Sequence, residues 1–225
     1  MMDWSPIFIS MKTASLSIFI TFFVGLIVAW GIVKTKNDTV KIILDGIFTL
    51  PLVLPPTVVG FFLLYTFGVR GPIGHFFIEF FAIKIAFSWP ATVIAAVVMS
   101  FPLMYRSARG AYEQVDSNLL DAGRTLGMSE WKIFWKILFA NALPGIISGG
   151  ILAFARGLGE FGATAMLAGN IAGQTRTLPM AVYSEVAAGN MGEAFNYVIV
   201  IVVISFIVIF IMDYVSIRKE KQWKY

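Results

Sequence analysis

Residues 112–136 read YEQVDSNLLDAGRTLGMSEWKIFWK and lie between two long apolar runs. They carry Glu113, Asp116, Asp121, Arg124, Glu130, Lys132 and Lys136, so the segment belongs in water. Their pattern is helical rather than that of a loose linker. Asp116 or Ser117 is placed to cap one helix, with Leu119, Leu120 and Ala122 beginning its apolar side. Ser129 is placed to cap a second, since Trp131, Ile133, Phe134, Trp135, Ile137 and Leu138 follow at near-helical spacing. Gly123 and Gly127 lie between the caps, where a break and turn cost least. The expectation is a short helix, a turn, and a second helix that runs on into an apolar phase. An ordered helical elbow held in an aqueous loop implies a soluble partner that docks on it.

The apolar phase is lipid. Of 225 residues, 58% are hydrophobic and 13% charged, and the mean hydropathy is +0.82. Soluble domains carry about 25% charged residues, so this chain has half the usual solvating surface and is an integral membrane protein. A spanning helix needs about 20 apolar residues. Outward from the elbow, that requirement gives five spans at 13–33, 46–69, 85–105, 133–155 and 195–212, with the cytoplasmic loop at 106–132. The whole chain, 1–225, reads as one transmembrane domain.

Pro51, Pro55 and Pro56 interrupt the second span, which is therefore expected to bend and to pack inside the bundle. Residues 70–84 are too polar to cross and suggest a small interfacial helix near 76–81. Residues 156–193 hold seven glycines and an apolar piece, 161–168, too short to cross. A re-entrant excursion fits, followed by a second short helix at 178–188.

Five spans put the chain ends on opposite sides, and the distribution of Lys and Arg chooses between them. Lys34, Lys36, Lys41, Arg106, Arg109, Arg124, Lys132 and the tail from Arg218 to Lys224 share one side. The other has Lys12, Arg70, Lys84, Arg156 and Arg176. The first side is cytoplasmic, which places the elbow and the C-terminus inside and the N-terminus outside. The net charge of +4 is accounted for by this topology, without nucleic acid.

What is missing narrows the function. The sequence has no cysteine and a single histidine, His75, so thiolate and His-clustered metal sites are excluded. No GxxxxGK[ST] loop is present, so the chain does not hydrolyse ATP by that route. Ion-coupled carriers place ionisable groups at mid-membrane. Here Asp45, Arg156, Glu160 and Asp213 all sit at span ends. A gradient-driven carrier acting alone is thereby disfavoured, and energy has to enter from a partner.

From Asp121, the run DAGRTLGMSEWKIFWKILFANALPG resembles the cytoplasmic EAA loop of ATP-binding-cassette importer permeases. Asp121, Ala122 and Gly123 stand for EAA, Gly127 for the glycine four residues on from the second Ala, and Ile137 for the isoleucine of the closing I-x-L-P. The departures are Asp for Glu, Gly for the second Ala, and Phe139-Ala140 in place of Leu-Pro, with Leu143-Pro144 four residues later. The runs LPLVLPPTVVGFFLL (50–64), FSWPATVIAAVVMSFPLMYRSARGA (87–111) and FARGLGEFGATAMLAGNIAGQTRTLP (154–179) look like those of molybdate importer permeases. Sulfate/thiosulfate permeases share the GEFGA-type segment, while the double-proline run looks more like the molybdate branch.

The resemblance implies an all-α polytopic membrane protein, a type I importer permease-like helix bundle with cytoplasmic coupling helices. It implies a homodimer working with two cytoplasmic ATPase subunits and an external substrate-binding protein in the cell membrane. It implies no catalytic residue and no cofactor in this chain, and molybdate, with tungstate beside it, as the substrate. Asp121, Ala122, Gly123, Gly127, Ser129, Trp131 and Ile137 would shape the ATPase contact. Arg156 and Glu160, four residues apart, are spaced to pair on one helix face. With Thr57, Ser100 and Thr164 they are the candidates for the translocation path or its gate. Gly145 and Gly149 form a GxxxG for close helix packing.

Overall fold

A computed structural model of the chain describes residues 3–222, with 212, 213 and 215–222 described by their backbone alone. The basic tail from Arg218 to Lys224 therefore lies outside the described side chains. Among the described residues there is no strand. The helices are α1 (Ser5–Lys34), α2 (Asp38–Val53), α3 (Pro56–Phe67), α4 (Pro72–Phe81), α5 (Trp89–Glu113), α6 (Ser117–Thr125), α7 (Glu130–Ile133), α8 (Phe139–Leu158), α9 (Gly162–Leu167), α10 (Leu178–Ala187) and α11 (Met191–Gln222). A π-helical turn, Phe134–Leu138, joins α7 to α8, so Glu130–Leu158 is one continuous rod.

Four helices are long and apolar enough to cross a membrane: Ser5–Lys34, Trp89–Glu113, Glu130–Leu158 and the rod beginning at Met191. The pair α2–α3 would be a fifth crossing, but it is bent by 112°. The expected kink is thus sharper than a right angle, and α3 turns back relative to α2. Pro51 stays inside α2; the break falls at Leu54 and Pro55, and Pro56 starts α3. Two consecutive prolines remove two backbone donors, so the ladder cannot run through.

α5 is the axis of the bundle and packs most extensively on α1 and α8. Small residues make this possible. A Cβ on Gly145 would lie 2.7 Å from Ala111 Cβ, and one on Gly149 2.5 Å from Ser107 Cβ, so the GxxxG face is where α8 meets α5. On α1, Thr13 Oγ1 bonds Thr92 Oγ1 at 2.8 Å and Thr21 Oγ1 bonds Ser100 Oγ at 3.1 Å, satisfying hydroxyls buried between α1 and α5.

Three apolar clusters follow along the bundle. One, at the α6 end, gathers Ile32, Met104, Tyr105, Tyr112, Leu138 and Ile146. A second, under α3 and α9, gathers Val59, Leu63, Met99, Ala163 and Leu167. A third joins Leu178 and Ala181 of α10 to Tyr197 of α11. α1 is tied to this third cluster by Ser10 Oγ, which accepts from Leu178 N at 2.7 Å, and Tyr197 Oη donates to the Asp3 carbonyl at 2.9 Å.

Candidate functional site

The elbow forms as two capped helices. Asp116 is the first cap, its Oδ1 accepting from Asn118 N at 2.9 Å. Ser129 is the second, its Oγ accepting from Lys132 N at 3.5 Å. α6 stops at a Schellman turn. Met128 N donates to the Gly123 carbonyl at 3.1 Å and Gly127 N to the Arg124 carbonyl at 2.9 Å. Gly127 has φ +73°, a left-handed conformation that favours glycine.

The sequence places Gly123 at the break between the two caps; instead it lies inside α6, where its carbonyl closes the turn from the helix side. It is the one fully buried residue of α6. A Cβ there would lie 2.8 Å from Ile137 Cδ1 and 3.2 Å from Ile133 Cγ1. Gly123 is therefore a contact point: it lets α6 lie directly on the start of the membrane-directed rod.

Arg124 fastens the two arms from outside. Its Nη1 is 2.6 Å from Asp121 Oδ1, its Nε 2.8 Å from Glu130 Oε1 and its Nη2 3.3 Å from Glu130 Oε2. The hydrogen bonds to Glu130 and then Asp121 push the guanidinium's pKa up, so its charge is fixed at any physiological pH. The remaining elbow residues face outward. Asp121, Ala122, Gly127, Ser129 and Trp131 are exposed and Ile137 is half-buried. Leu126, at 80% exposure, and Trp131, at 66%, are large apolar side chains left exposed on either side of the turn, at the tip of the elbow. Leu126 was not among the residues the sequence singled out; its place at the end of α6, just ahead of the turn glycine, is the signal that marks it.

The second group of candidates gathers at the α2–α3 break. Glu160 is only 2% exposed. Its Oε1 accepts from Ala163 N at 2.8 Å, capping α9, and its Oε2 is 2.6 Å from Arg156 Nη1. Glu160 lies beyond the last residue of α8, so this pair joins the end of one helix to the start of the next. α9 then seats on α3. A Cβ on Gly162 would strike Pro56 Cβ at 2.7 Å, and one on Gly60 would come within 2.8 Å of Ala163 Cα. Thr57 is exposed in the first turn of α3, beside this loop, and Thr164 is buried in α9. The structure thus brings Thr57, Arg156, Glu160 and Thr164 to one seam. Ser100 is not there: its hydroxyl is spent between α1 and α5, on Thr21 and on the Val97 carbonyl at 3.3 Å.

His75 and Glu79 pair across one turn of α4 at 3.4 Å. Among the described residues no cluster of three or more His, Asp or Glu side chains is arranged to hold a metal.

Comparison with known proteins sets these features in context. Residues 7–221 match the family described as binding-protein-dependent transport system inner membrane component. The chain is 46% identical over 194 residues to the molybdenum transport system permease protein ModB of Escherichia coli (strain K12), covering 85% of this chain and 84% of that protein. It is 41% identical over 211 residues to the putative molybdenum transport system permease protein YvgM of Bacillus subtilis (strain 168), covering 93% and 92%. A probable sulfate transport system permease protein, cysT of Chlorokybus atmophyticus, is 32% identical over 208 residues, covering 92% and 72%. In three dimensions the chain resembles a bacterial ABC transporter that imports the acidic polysaccharide alginate, at TM-score 0.79 and 13% identity over 95% of this chain and 78% of that one. It also resembles the MetNI methionine ABC transporter, at TM-score 0.73 and 18% identity over 94% and 93%.

Proposed function

The chain belongs to the binding-protein-dependent transport system inner membrane component family, and on that premise we propose that it forms the path of an ATP-driven importer for a tetrahedral oxyanion, with molybdate as its substrate. It is a multi-pass membrane permease with the type I importer fold and no catalysis of its own; ATP hydrolysis belongs to a separate subunit. The observation that carries the mechanism is the elbow. A capped, internally braced helix pair presents Leu126 and Trp131 to water at the end of the rod Glu130–Leu158. Burying a Leu side chain yields about 1.5–3 kcal/mol, so this tip is a docking point rather than a loop left open.

In this reading two copies of the chain work together. Each elbow seats on an ATPase subunit in the cytoplasm, and an external binding protein delivers the anion to the opposite end. The N-terminus is outside and the C-terminus inside, as the Lys and Arg distribution requires. Closure of the ATPase pair pushes both elbows, and the rigid rod carries the displacement into the bundle. Asp121, Ala122, Gly123, Gly127, Ser129, Trp131 and Ile137 shape that contact, with Leu126 at its tip. The seam of Thr57, Arg156, Glu160 and Thr164 is the proposed gate, because irregular backbone there lies at a helix break. Ser100 serves the packing of α1 on α5.

The test is uptake into proteoliposomes that hold the chain, its ATPase and the external binding protein. Molybdate accumulation that depends on nucleotide and on the binding protein supports the reading; tungstate is expected to compete. Preferential accumulation of sulfate would favour the second reading, which rests on the match to the sulfate permease. Uptake by the chain alone, down an ion gradient, would refute both.

A further inference from the structure

α2 is held in an unusual way. None of its residues is fully buried, yet it leads into the 112° turn whose far side packs against the Glu160–Gly162 loop. What fastens it to the bundle is a polar ladder. Lys41 and Asp45, one turn apart on α2, face Tyr105, Arg109 and Glu113, one turn apart on α5. Tyr105 Oη donates to Asp45 Oδ1 at 2.9 Å, and Arg109 Nη1 is 2.5 Å from the same oxygen. Arg109 Nε donates to Glu113 Oε1 at 3.0 Å, and Lys41 Nζ to that oxygen at 2.8 Å. Phe48 of α2 packs edge-on against Phe101 and Tyr105 beneath the ladder.

Two cations and two carboxylates balance, and one oxygen of each carboxylate, Asp45 Oδ1 and Glu113 Oε1, is shared between two donors. A shared network of this kind resists sliding better than isolated surface pairs, whose worth is small. Its position matters as much as its chemistry. Glu113 is the last residue of α5, and only three residues separate it from α6. The ladder therefore ties the helix that enters the elbow to the helix that turns over the seam.

We propose that Asp45 and Arg109 are positioning residues of the transport cycle: a strut that makes α2 and α3 follow α5 when the elbow moves. The proposal rests on the importer reading above. Without the strut, force entering α6 would still reach α8 through the rod, but α2–α3 would lag and the seam would not open in step.

The experiment uses the reconstituted complex with ATPase and binding protein, measuring molybdate uptake and ATP hydrolysis together. Asp45→Asn keeps an acceptor for Tyr105 and removes the charge; Arg109→Gln removes the positive charge and the forked guanidinium that reaches both carboxylates. Both are expected to keep ATP hydrolysis stimulated by the loaded binding protein while uptake per ATP falls at least about fivefold, the low end of coupling between sites. A purely structural role would instead lower both together through loss of assembled complex. The chain has no cysteine, so an Asp45→Cys/Arg109→Cys pair bridged by a short bifunctional thiol reagent restores the tie without the charges. Bridging is expected to recover uptake per ATP relative to the unbridged pair. Unchanged uptake per ATP in both charge variants, parallel loss of both activities, or failure of bridging to recover coupling would each overturn the strut. If the unsubstituted complex shows no nucleotide-driven uptake, the importer reading itself falls. Coupled uptake there, with unchanged coupling in the variants, removes the strut alone.

Discussion

Gly127 holds φ +73° with open space around its α-carbon, so the demand on it is conformational and not steric. A β-branched residue in the left-handed region costs on the order of 1–3 kcal/mol. Gly127→Val should therefore unmake the Schellman turn and tilt α6 off the rod. Uptake is expected to be lost while the amount of chain in the membrane stays the same, which immunoblotting of membranes alongside transport assays would check. Gly123 fails differently, because a side chain there would press on Ile133 and Ile137 and lift α6 from the rod. Leu126 gives the cleanest test of the three. At 80% exposure it supports nothing within the chain, so Leu126→Asp should leave thermal stability unchanged and cost the ATPase contact about 1.5–3 kcal/mol, roughly 10- to 100-fold in affinity. Co-purification of the ATPase with the variant would show it; undiminished recovery would mean that the tip is not a docking point.

At the scale of elements, two joints interrupt the long helices, and each is braced by a charged side chain. The elbow is braced by Arg124 across its turn, and the seam by Glu160, which caps α9 and pairs with Arg156. Arg156 is 27% exposed and can be solvated when its partner is lost, so breaking the pair costs less than the ~3–5 kcal/mol of a fully buried one, and losing a helix cap costs about 0.5–2 kcal/mol. Glu160→Gln keeps a side-chain acceptor for Ala163 N, whereas Glu160→Ala removes both functions. Both variants should lower the unfolding midpoint of the purified complex, the Ala variant more. Equal midpoints would show that the cap contributes nothing.

Much of this was legible beforehand because its causes are local. Caps at Asp116 and Ser129, the turn at Gly127, and the proline break near Pro55 and Pro56 are each written within a few residues. The sharpness of that break, 112°, and the burial of Gly123 inside α6 were not. Spacing identifies a glycine but cannot distinguish a turn from a point of contact, and Gly123 is decided by isoleucines 10 and 14 residues later. The π-turn at Phe134–Leu138 carries no proline or glycine to announce it. The Asp45 ladder joins residues 60 or more apart in sequence, beyond any periodicity.

Across the whole molecule, three apolar clusters divide the work. The cluster at the α6 end packs α1, α5 and α8 together beside the proposed ATPase contact; the one under α3 and α9 backs the proposed gate; the third anchors α10 and α11 to the opposite end of α1. The proposed topology gives an independent prediction. With no native thiol to interfere, a Ser129→Cys variant should react with a membrane-impermeant reagent only in inverted vesicles, and a His75→Cys variant only in right-side-out ones. Reaction of both from one side would undo the five-span arrangement.

The most direct measurement of the central claim is molybdate accumulation in proteoliposomes containing the chain, its ATPase and the binding protein, compared with the same complex carrying Leu126→Asp. Accumulation that requires ATP and collapses at least about tenfold in the variant is the predicted result. Accumulation without ATP, or equal accumulation in the variant, would contradict it.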